Sequence, residues 1–296
     1  MKKLGRLLTA MVTPFNEKGG VDYEQAKKLA LALLDSGSDG VVIAATTGES
    51  PTLNWEEEFH LFREIKSAVG KQGAVVAYTG SNSTAEAVEA TMEAEKIGVD
   101  ACLLVVPYYN KPTQEGLYQH FKTIAEGTSL PCILYNVPSR TVTNMTAETV
   151  IRLSQVDNII GVKEASGNLE QIANIVEGTG DDFFVWSGND GDILTLMAVG
   201  GYGVISVASH LVGKQIRQMI DGVVSGKLEE AAAIHRHLLP LVNALFVVSN
   251  PIPLKYALNQ VGFRVGKPRL PLTEPDEKTA ALIRDTLKNY KIDLPV

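Results

Sequence analysis

A lysine follows a short apolar run near the middle of the chain. Residues 159–165 read IIGVKEA, so apolar or small residues lead directly into Lys163. The run is too short for a helix and is bounded by polar turns, which predicts a buried parallel strand that ends at Lys163. A lysine in this position either reaches solvent or pairs with Glu164, or it is a partly desolvated amine that attacks a carbonyl carbon.

Polar and reactive side chains recur where other apolar runs end. These segments are TTGES at 46–50, YTGSN at 78–82, PYYN at 107–110, YNVPSR at 135–140 and SGND at 187–190. An amine that attacks a ketone forms a carbinolamine and then an imine, and a tyrosine hydrogen-bonded to a threonine could move the protons. An arginine and backbone N–H groups could hold a carboxylate. No His/Asp/Glu cluster has metal-ligand spacing, so the pattern favours Schiff-base chemistry with no metal and no cofactor.

Each of these segments also has an interpretation without chemistry. TTGES could be a capped strand-to-helix turn, and Tyr108 and Tyr109 could be core or interface aromatics. Arg140 could form a surface ion pair, and SGND could be a plain turn. The choice depends on whether the fold brings the segments together.

Eight short apolar runs alternate with amphipathic stretches over two thirds of the chain. The runs predict strands at 7–12, 40–45, 74–79, 101–106, 132–136, 159–163, 183–187 and 203–207. The stretches between them predict helices at 22–35, 54–69, 84–97, 114–126, 146–153, 169–177 and 190–198. Eight β/α units in this length indicate an α/β fold, a closed (β/α)8 TIM barrel, and no strand is followed by the G-x-G-x-x-G of a dinucleotide-binding sheet. A barrel enzyme builds its site at the carboxyl ends of its strands, where these segments would meet.

The alternation stops after the eighth run. Apolar periodicity predicts four further helices at 211–224, 228–248, 251–261 and 277–290. We therefore expect a catalytic barrel over residues 1–225 and a C-terminal helical extension over 226–296.

Composition limits the partners that the protein can have. The chain has 296 residues, 45% of them apolar, and a net charge of -7 without a Lys/Arg cluster, which argues against nucleic acid or an anionic membrane as partner. No segment approaches the ~18 apolar residues of a membrane span. The start, MKKLGRLL, imitates a signal peptide, but Arg6 and Pro14 interrupt the apolar run. Cys102 and Cys132 lie in apolar runs, which predicts buried free thiols in a cytoplasmic protein.

Several motifs in order resemble the dihydrodipicolinate synthase family. They are TTGES, PYYNKP at 107–112, YNVPSRT at 135–141, GVKEA at 161–165, GVIS at 203–206 and NPIP at 250–253. The resemblance runs essentially from end to end, and the ordered set is far more specific than any one motif. It implies a lyase that condenses pyruvate with L-aspartate 4-semialdehyde through a lysine Schiff base, in diaminopimelate and lysine biosynthesis.

The same resemblance assigns catalytic roles. Lys163 would form the Schiff base with pyruvate. The proton relay would consist of Tyr135, Thr46 and Tyr109. Tyr109 would reach in from a neighbouring subunit, and the family's usual assembly is a homotetramer built as a dimer of dimers.

The substrate-binding residues also follow from the resemblance. Thr47 would hold the pyruvate carboxylate, and Arg140 the carboxylate of the semialdehyde. Gly188 and Ile205 would line the pocket with backbone groups. One departure is Ala45, where a glycine commonly precedes the two threonines.

Alternatives with the same fold and lysine are N-acetylneuraminate lyase and 2-keto-3-deoxy-sugar acid aldolases. The neuraminate enzymes more often have a serine where Thr46 stands, and the arginine of YNVPSR favours the synthase. A catalytically silent binding barrel would not need Lys163. A phosphate-handling barrel would need its glycines after strands seven and eight, whereas Gly200 and Gly201 precede the eighth run.

Many synthases of the family are inhibited by lysine at a dimer-interface cleft, so the resemblance also implies an allosteric site. The matching positions are Ser50, Pro51, Trp55, Glu58, Asn82, Glu86 and Tyr108. Trp55 and Glu58 replace histidines found in some members, but Glu58 and Glu86 could still receive an ammonium group. We therefore expect lysine to inhibit.

Overall fold

A computed structural model describes residues 4–295. Within that range, eight strands follow one another around a closed barrel in the order β1 to β8. Their bounds are β1 Leu7–Ala10, β2 Gly40–Ile43, β3 Ala74–Tyr78, β4 Ala101–Val105, β5 Cys132–Asn136, β6 Ile159–Glu164, β7 Phe184–Ser187 and β8 Gly203–Ser206. The predicted (β/α)8 barrel is confirmed. The strands are almost wholly buried, which is why they read as continuous apolar runs rather than alternating patterns.

Helices surround and follow the strands. Their bounds are α1 Tyr23–Asp35, α2 Trp55–Val69, α3 Thr84–Ile97, α4 Gln114–Glu126, α5 Pro138–Thr141, α6 Ala147–Leu153, α7 Leu169–Gly178, α8 Ile193–Ala198, α9 Ser209–Val224, α10 Leu228–Leu245, α11 Ile252–Gln260 and α12 Glu277–Leu287. α2 begins with a capping box, in which the Asn54 side chain accepts from the Glu57 N–H and the Glu57 carboxylate accepts from the Asn54 N–H. None of the helices between residues 4 and 295 is long and apolar enough to cross a membrane.

Most predicted elements differ from the structure by one to three residues at an end, such as β1, which ends at Ala10 rather than 12, and α10, which ends at Leu245 rather than 248. Three further differences have an identifiable cause or lie at the site. α5 was not predicted, because its four residues are too few to show a 3.6-residue period. The predicted helix at 190–198 begins instead as a 3-10 turn over Asp190–Asp192, where the Asp-Gly-Asp sequence is a poor helix former. β6 continues one residue beyond Lys163, to Glu164.

The chain divides into two compact units, which we describe separately. The terminal unit contains the residues up to Val75 and from Ser206 onward, and the central unit contains Val76–Ile205. α9 ends at Val224 and α10 begins at Leu228. The boundary predicted at residue 225 between barrel and extension stays a prediction.

Candidate active site

Lys163 lies beside Tyr135 in the central unit. The two residues are register partners on the paired strands β5 and β6, so their side chains leave the sheet on the same face. The Lys163 Nζ lies 4.3 Å from the centroid of the Tyr135 ring. Lys163 is only 5% exposed and Tyr135 is buried as well. A strand-end lysine that reaches solvent, the first of the two initial interpretations, is therefore wrong.

The neighbouring Glu164 is held by other groups. Its Oε1 accepts from the Ser166 N–H at 2.7 Å, and its two oxygens accept from Asn136 Nδ2 at 3.1 and 3.0 Å. Gln171 Nε2 donates to Oε2 at 3.1 Å. Glu164 and Lys163 are successive strand residues, so their side chains point to opposite faces. All of these donors to Glu164 are amide N–H groups. The alternative that Lys163 forms an ion pair with Glu164 is therefore wrong.

Two of the other predicted site residues of the central unit follow strand ends, and the third, Ile205, lies within a strand. Arg140 is exposed on α5, after β5. The Gly188 N–H donates to the Glu164 carbonyl at 2.7 Å, and a Cβ at Gly188 would lie 2.6 Å from that of Ala165, so a larger residue does not fit. Ile205 is buried in β8. Arg140 and Gly188 follow strand ends, as the sequence predicts, whereas Ile205 was named only by the resemblance.

Tyr109 projects from the loop after β4. It is 89% exposed and has a left-handed backbone with φ of 73°, which is uncommon for a tyrosine. The loop is fixed by Asn82, whose Nδ2 donates to the Tyr108 carbonyl at 3.1 Å, and by Asn110, whose Nδ2 donates to the Asn82 carbonyl at 2.8 Å. The exposure of Tyr109 is therefore built into an ordered loop.

Thr46 and Thr47 follow β2 in the terminal unit. Thr46 is partly exposed, and Thr47 is buried with its Oγ1 accepting from Asn250 Nδ2 at 2.9 Å. The turn is closed by the Glu49 N–H, which donates to the Thr46 carbonyl at 3.1 Å. Asn250 belongs to the NPIP motif, so the structure gives that motif a contact with TTGES.

Glu49 anchors the same turn through a buried ion pair. Its Oε1 lies 2.7 Å from Lys255 Nζ, and both side chains are 1% exposed. Its Oε2 accepts from the Arg269 N–H at 2.8 Å. The Lys255 Nζ also lies 4.0 Å from the Phe15 ring centroid, a cation–π contact. Burial lowers the pKa of Lys255 to about 8, although the Glu49 carboxylate acts in the opposite direction.

The positions expected to bind lysine lie partly in each unit. In the terminal unit, Ser50 and Pro51 belong to a 3-10 turn before α2, Trp55 is exposed and Glu58 is buried. Burial raises the pKa of Glu58 to about 7, while a hydrogen bond with the Ser50 side chain lowers it.

In the central unit, the Ser81 hydroxyl donates to Glu86 at 2.8 Å, and Asn82 holds the Tyr108 carbonyl as described above. Glu86 is exposed. Its carboxylate is therefore open to solvent in this unit.

Sequence reasoning missed the residues that hold the strand-end motifs in place. Asn136, Glu164 and Glu49 stand inside the motifs, but only their neighbours were assigned roles. Lys255 gave no signal, because a lysine in a helical pattern ordinarily lies on the surface. The sequence did hold one signal for the buried carboxylates Glu49 and Glu164. Each stands at the end of an apolar run or in the turn that follows it, where a side chain is often buried.

The two cysteines are buried free thiols, as predicted. Cys102 and Cys132 are register partners on β4 and β5, and their Sγ atoms are 3.4 Å apart. The hydrogen bond with Cys102, together with burial, raises the pKa of Cys132. Over residues 4–295, no group of three or more His, Cys, Asp or Glu residues could hold a metal ion.

A closed parallel barrel with a buried lysine beside a tyrosine on adjacent strands defines an aldolase-type class of barrel protein. Within that class, a profile of the Dihydrodipicolinate synthetase family matches residues 3–290. The chain belongs to this family, and the predicted resemblance is confirmed.

Relatives match over the whole chain. A protein of Dehalococcoides mccartyi named 4-hydroxy-tetrahydrodipicolinate synthase is 71% identical over 296 residues, all of both chains. A protein of Moorella thermoacetica with the same name is 54% identical and covers 95% of this chain and 98% of its own.

Solved structures of similar proteins match the fold over nearly the whole chain. Dihydrodipicolinate synthase from Bacillus anthracis has a TM-score of 0.96 at 44% identity and covers 98% of this chain and all of its own. DHDPS from Cyanidioschyzon merolae, solved with lysine bound, has a TM-score of 0.95 at 50% identity, with 97% and 98% covered.

Proposed function

We propose that this chain condenses pyruvate with L-aspartate 4-semialdehyde through a Schiff base on Lys163, the reaction of a 4-hydroxy-tetrahydrodipicolinate synthase. The observation that carries the proposal is the buried Lys163 amine 4.3 Å from the Tyr135 ring on paired strands. The name shared by full-length relatives agrees with the predicted function.

The chemistry follows from an amine beside a phenol. The Lys163 amine attacks the keto carbon of pyruvate through its lone pair, the attacking nitrogen gives up a proton and the carbonyl oxygen takes one up, which gives a neutral carbinolamine. Loss of water gives the imine, and loss of a proton from the methyl carbon gives an enamine. The enamine carbon then attacks the aldehyde carbon of the semialdehyde. The Tyr135 phenol is our candidate for the group that moves protons in these steps.

The remaining roles are proposed from the family resemblance. Thr46 and Tyr109 complete the proton relay. Substrate is held by Thr47, Arg140, Gly188 and Ile205. The ordered but exposed Tyr109 supports a role toward a second subunit, because an aromatic ring that is 89% exposed gains little from its own chain.

We propose a cytoplasmic homotetramer built as a dimer of dimers. A solved structure at 43% identity is of a monomeric dihydrodipicolinate synthase variant, so the assembly has to be measured for each chain. Sedimentation velocity at assay concentration should give a tetramer. A monomer with full turnover would contradict both the assembly and the role of Tyr109.

Turnover of the purified protein tests the function directly. We expect product that a coupled reductase reduces, and we expect borohydride to trap pyruvate on Lys163. Lys163→Ala should lose most turnover and all trapping, whereas Lys122→Ala, at an exposed ion pair with Glu126, should keep both. Trapping without condensation would leave the imine but move the proposal to another aldehyde, as for a neuraminate or sugar-acid aldolase. Full activity in Lys163→Ala would favour a silent binding barrel.

We also propose that lysine inhibits the reaction. Support comes from the exposed carboxylate of Glu86 at one matching position, and a structural relative was solved with lysine bound. Initial rates with limiting pyruvate should fall as lysine rises, and Glu86→Gln should weaken the effect. A flat rate across rising lysine concentrations would remove this proposal.

A further inference from the structure

Glu164 and Asn136 form a second pair on the outer side of the Tyr135–Lys163 pair. Asn136 and Glu164 are register partners one position beyond Tyr135 and Lys163 on the same two strands. Because side chains alternate along a strand, the two pairs lie on opposite faces. The hydrogen bonds from Asn136 Nδ2 to Glu164 therefore stabilise the register of β5 and β6 from the opposite face of the sheet. This register places Tyr135 beside Lys163.

The same pair holds the loop that carries Arg140. Asn136 Oδ1 accepts from the Met145 N–H at 3.0 Å, and Asn136 Nδ2 donates to Asn144 Oδ1 at 2.8 Å. These bonds close the segment 137–145 onto the end of β5. Asn136 is fully buried, so the loop is tied at a point that water does not reach.

Gln171 connects the network to the helix after β6. Its Nε2 donates to Glu164, and its Oε1 accepts from Asn144 Nδ2 at 2.8 Å. The carboxylate thus receives donors from β5, from α7 and from the backbone at Ser166. A buried carboxylate with three separate donors stabilises one arrangement of all three segments.

We propose that Glu164 is a positioning residue of this reaction. Through Asn136 it holds Tyr135, Lys163 and the Arg140 loop in their working arrangement. It does not touch the reacting atoms, because its side chain lies on the face opposite Lys163. This inference rests on the proposed function and adds a residue to it.

Replacing one acceptor oxygen of Glu164 by an N–H donor tests the hydrogen-bond network around it. Glu164→Gln places an amide against the Asn136 and Gln171 amides, so that donors face donors on at least one oxygen position. We expect the rate of imine formation, measured by borohydride trapping of pyruvate, and kcat to fall about 10-fold to 100-fold. Small displacements of reacting groups lower rates by such factors. Glu170→Gln, an exposed neighbour on α7, is the matched control and should stay within twofold.

The double variant Asn136→Asp with Glu164→Gln, called the exchange variant, should restore the trapping rate that Glu164→Gln loses. It restores one carboxylate and one amide in the reverse order, and the side-chain amides of Asn144 and Gln171 can turn over to match. At least tenfold recovery of the trapping rate is expected, which mere loss of the Glu164 charge would not give. If Glu164→Gln does not fold, Gln171→Leu, which removes one donor from Glu164 and the acceptor of the Asn144 amide, should still slow trapping severalfold in a folded protein, and a wild-type trapping rate in it would overturn the inference.

The outcomes separate the inference from the function. Wild-type trapping and turnover rates in folded Glu164→Gln would overturn the inference and leave the function intact. An inactive but folded exchange variant would also overturn it, because the carboxylate would then act at its own position rather than through the network. If the wild-type chain neither trapped pyruvate nor turned over, the proposed function would fall, and the inference with it.

Discussion

Two buried carboxylates, one in each unit, are held in different ways. Glu49 in the terminal unit faces a lysine ammonium and a backbone N–H, whereas Glu164 in the central unit faces only neutral donors. Both are almost completely buried. Glu164 directly follows Lys163 and Glu49 lies two positions after Thr47, and we propose that both Lys163 and Thr47 act on substrate.

The difference shows that burial alone does not dictate a counter-ion. A carboxylate can be satisfied by a cation, at the cost of desolvating two charges, or by several amides, at the cost of ordering them. The first solution depends on one partner and its protonation. The second spreads the dependence over several weaker bonds, so its response to the loss of one partner should be smaller.

Removing Lys255 should have the largest effect on stability. Lys255→Met leaves the buried Glu49 Oε1 without its donor, which even a deprotonated Lys255 amine would still supply, and we expect a loss of about 3–5 kcal/mol in the free energy of unfolding. Urea unfolding followed by circular dichroism measures it. The double variant Glu49→Gln with Lys255→Met should recover most of the loss, because no charge is then left unpaired.

An exposed ion pair provides the matched control. Lys288 and Asp285 are 2.7 Å apart and about 70% exposed, so Lys288→Met should cost less than about 1 kcal/mol. Equal losses in Lys255→Met and Lys288→Met would show that Glu49 does not depend on its cation.

The pH dependence should separate the two carboxylates next. The folded pKa of Lys255 is about 8, below its ordinary value of 10.5. Between these values the unfolded chain binds a proton that the folded chain does not, so the free energy of unfolding rises with pH. At 1.36 kcal/mol per pH unit the rise amounts to at most about 3 kcal/mol. The burial penalty of the ammonium is complete below pH 8 and relieved above 10.5.

Unfolding from pH 7 to 10 checks this dependence. Wild type and Gln171→Leu should share the rise, since the amides around Glu164 do not titrate there. The Glu49→Gln, Lys255→Met double variant should lack it. A rise of the same size in the double variant would assign the dependence to other groups.

How much the sequence could reveal differs between the fold and the site. The barrel and the Lys163 strand were predictable, because buried parallel strands read as apolar runs separated by amphipathic stretches. The short α5 and the 3-10 turn at Asp190–Asp192 were not, since one turn carries no periodicity.

The residues that contact the motif side chains could not be predicted from the sequence either. Lys255 reaches Glu49 across 206 positions, and no local pattern records such a contact. Glu164 was visible beside Lys163, but only the strand register shows that it faces Asn136 instead. The catalytic, substrate-binding and lysine-site roles remain predictions that the variants above are designed to test.

The smallest expected effect is at the amide-held carboxylate. Gln171→Leu removes one donor from Glu164 and the acceptor of the Asn144 amide. It should cost about 1–3 kcal/mol in the free energy of unfolding, because Glu164 keeps its donors Asn136 and the Ser166 N–H. Gln119→Leu is the control, since Gln119 donates to Glu115 at 2.8 Å in an exposed pair and should change stability by less than about 0.5 kcal/mol. A loss in Gln171→Leu as large as that in Lys255→Met would mean that the amide set is as intolerant of a missing partner as an ion pair.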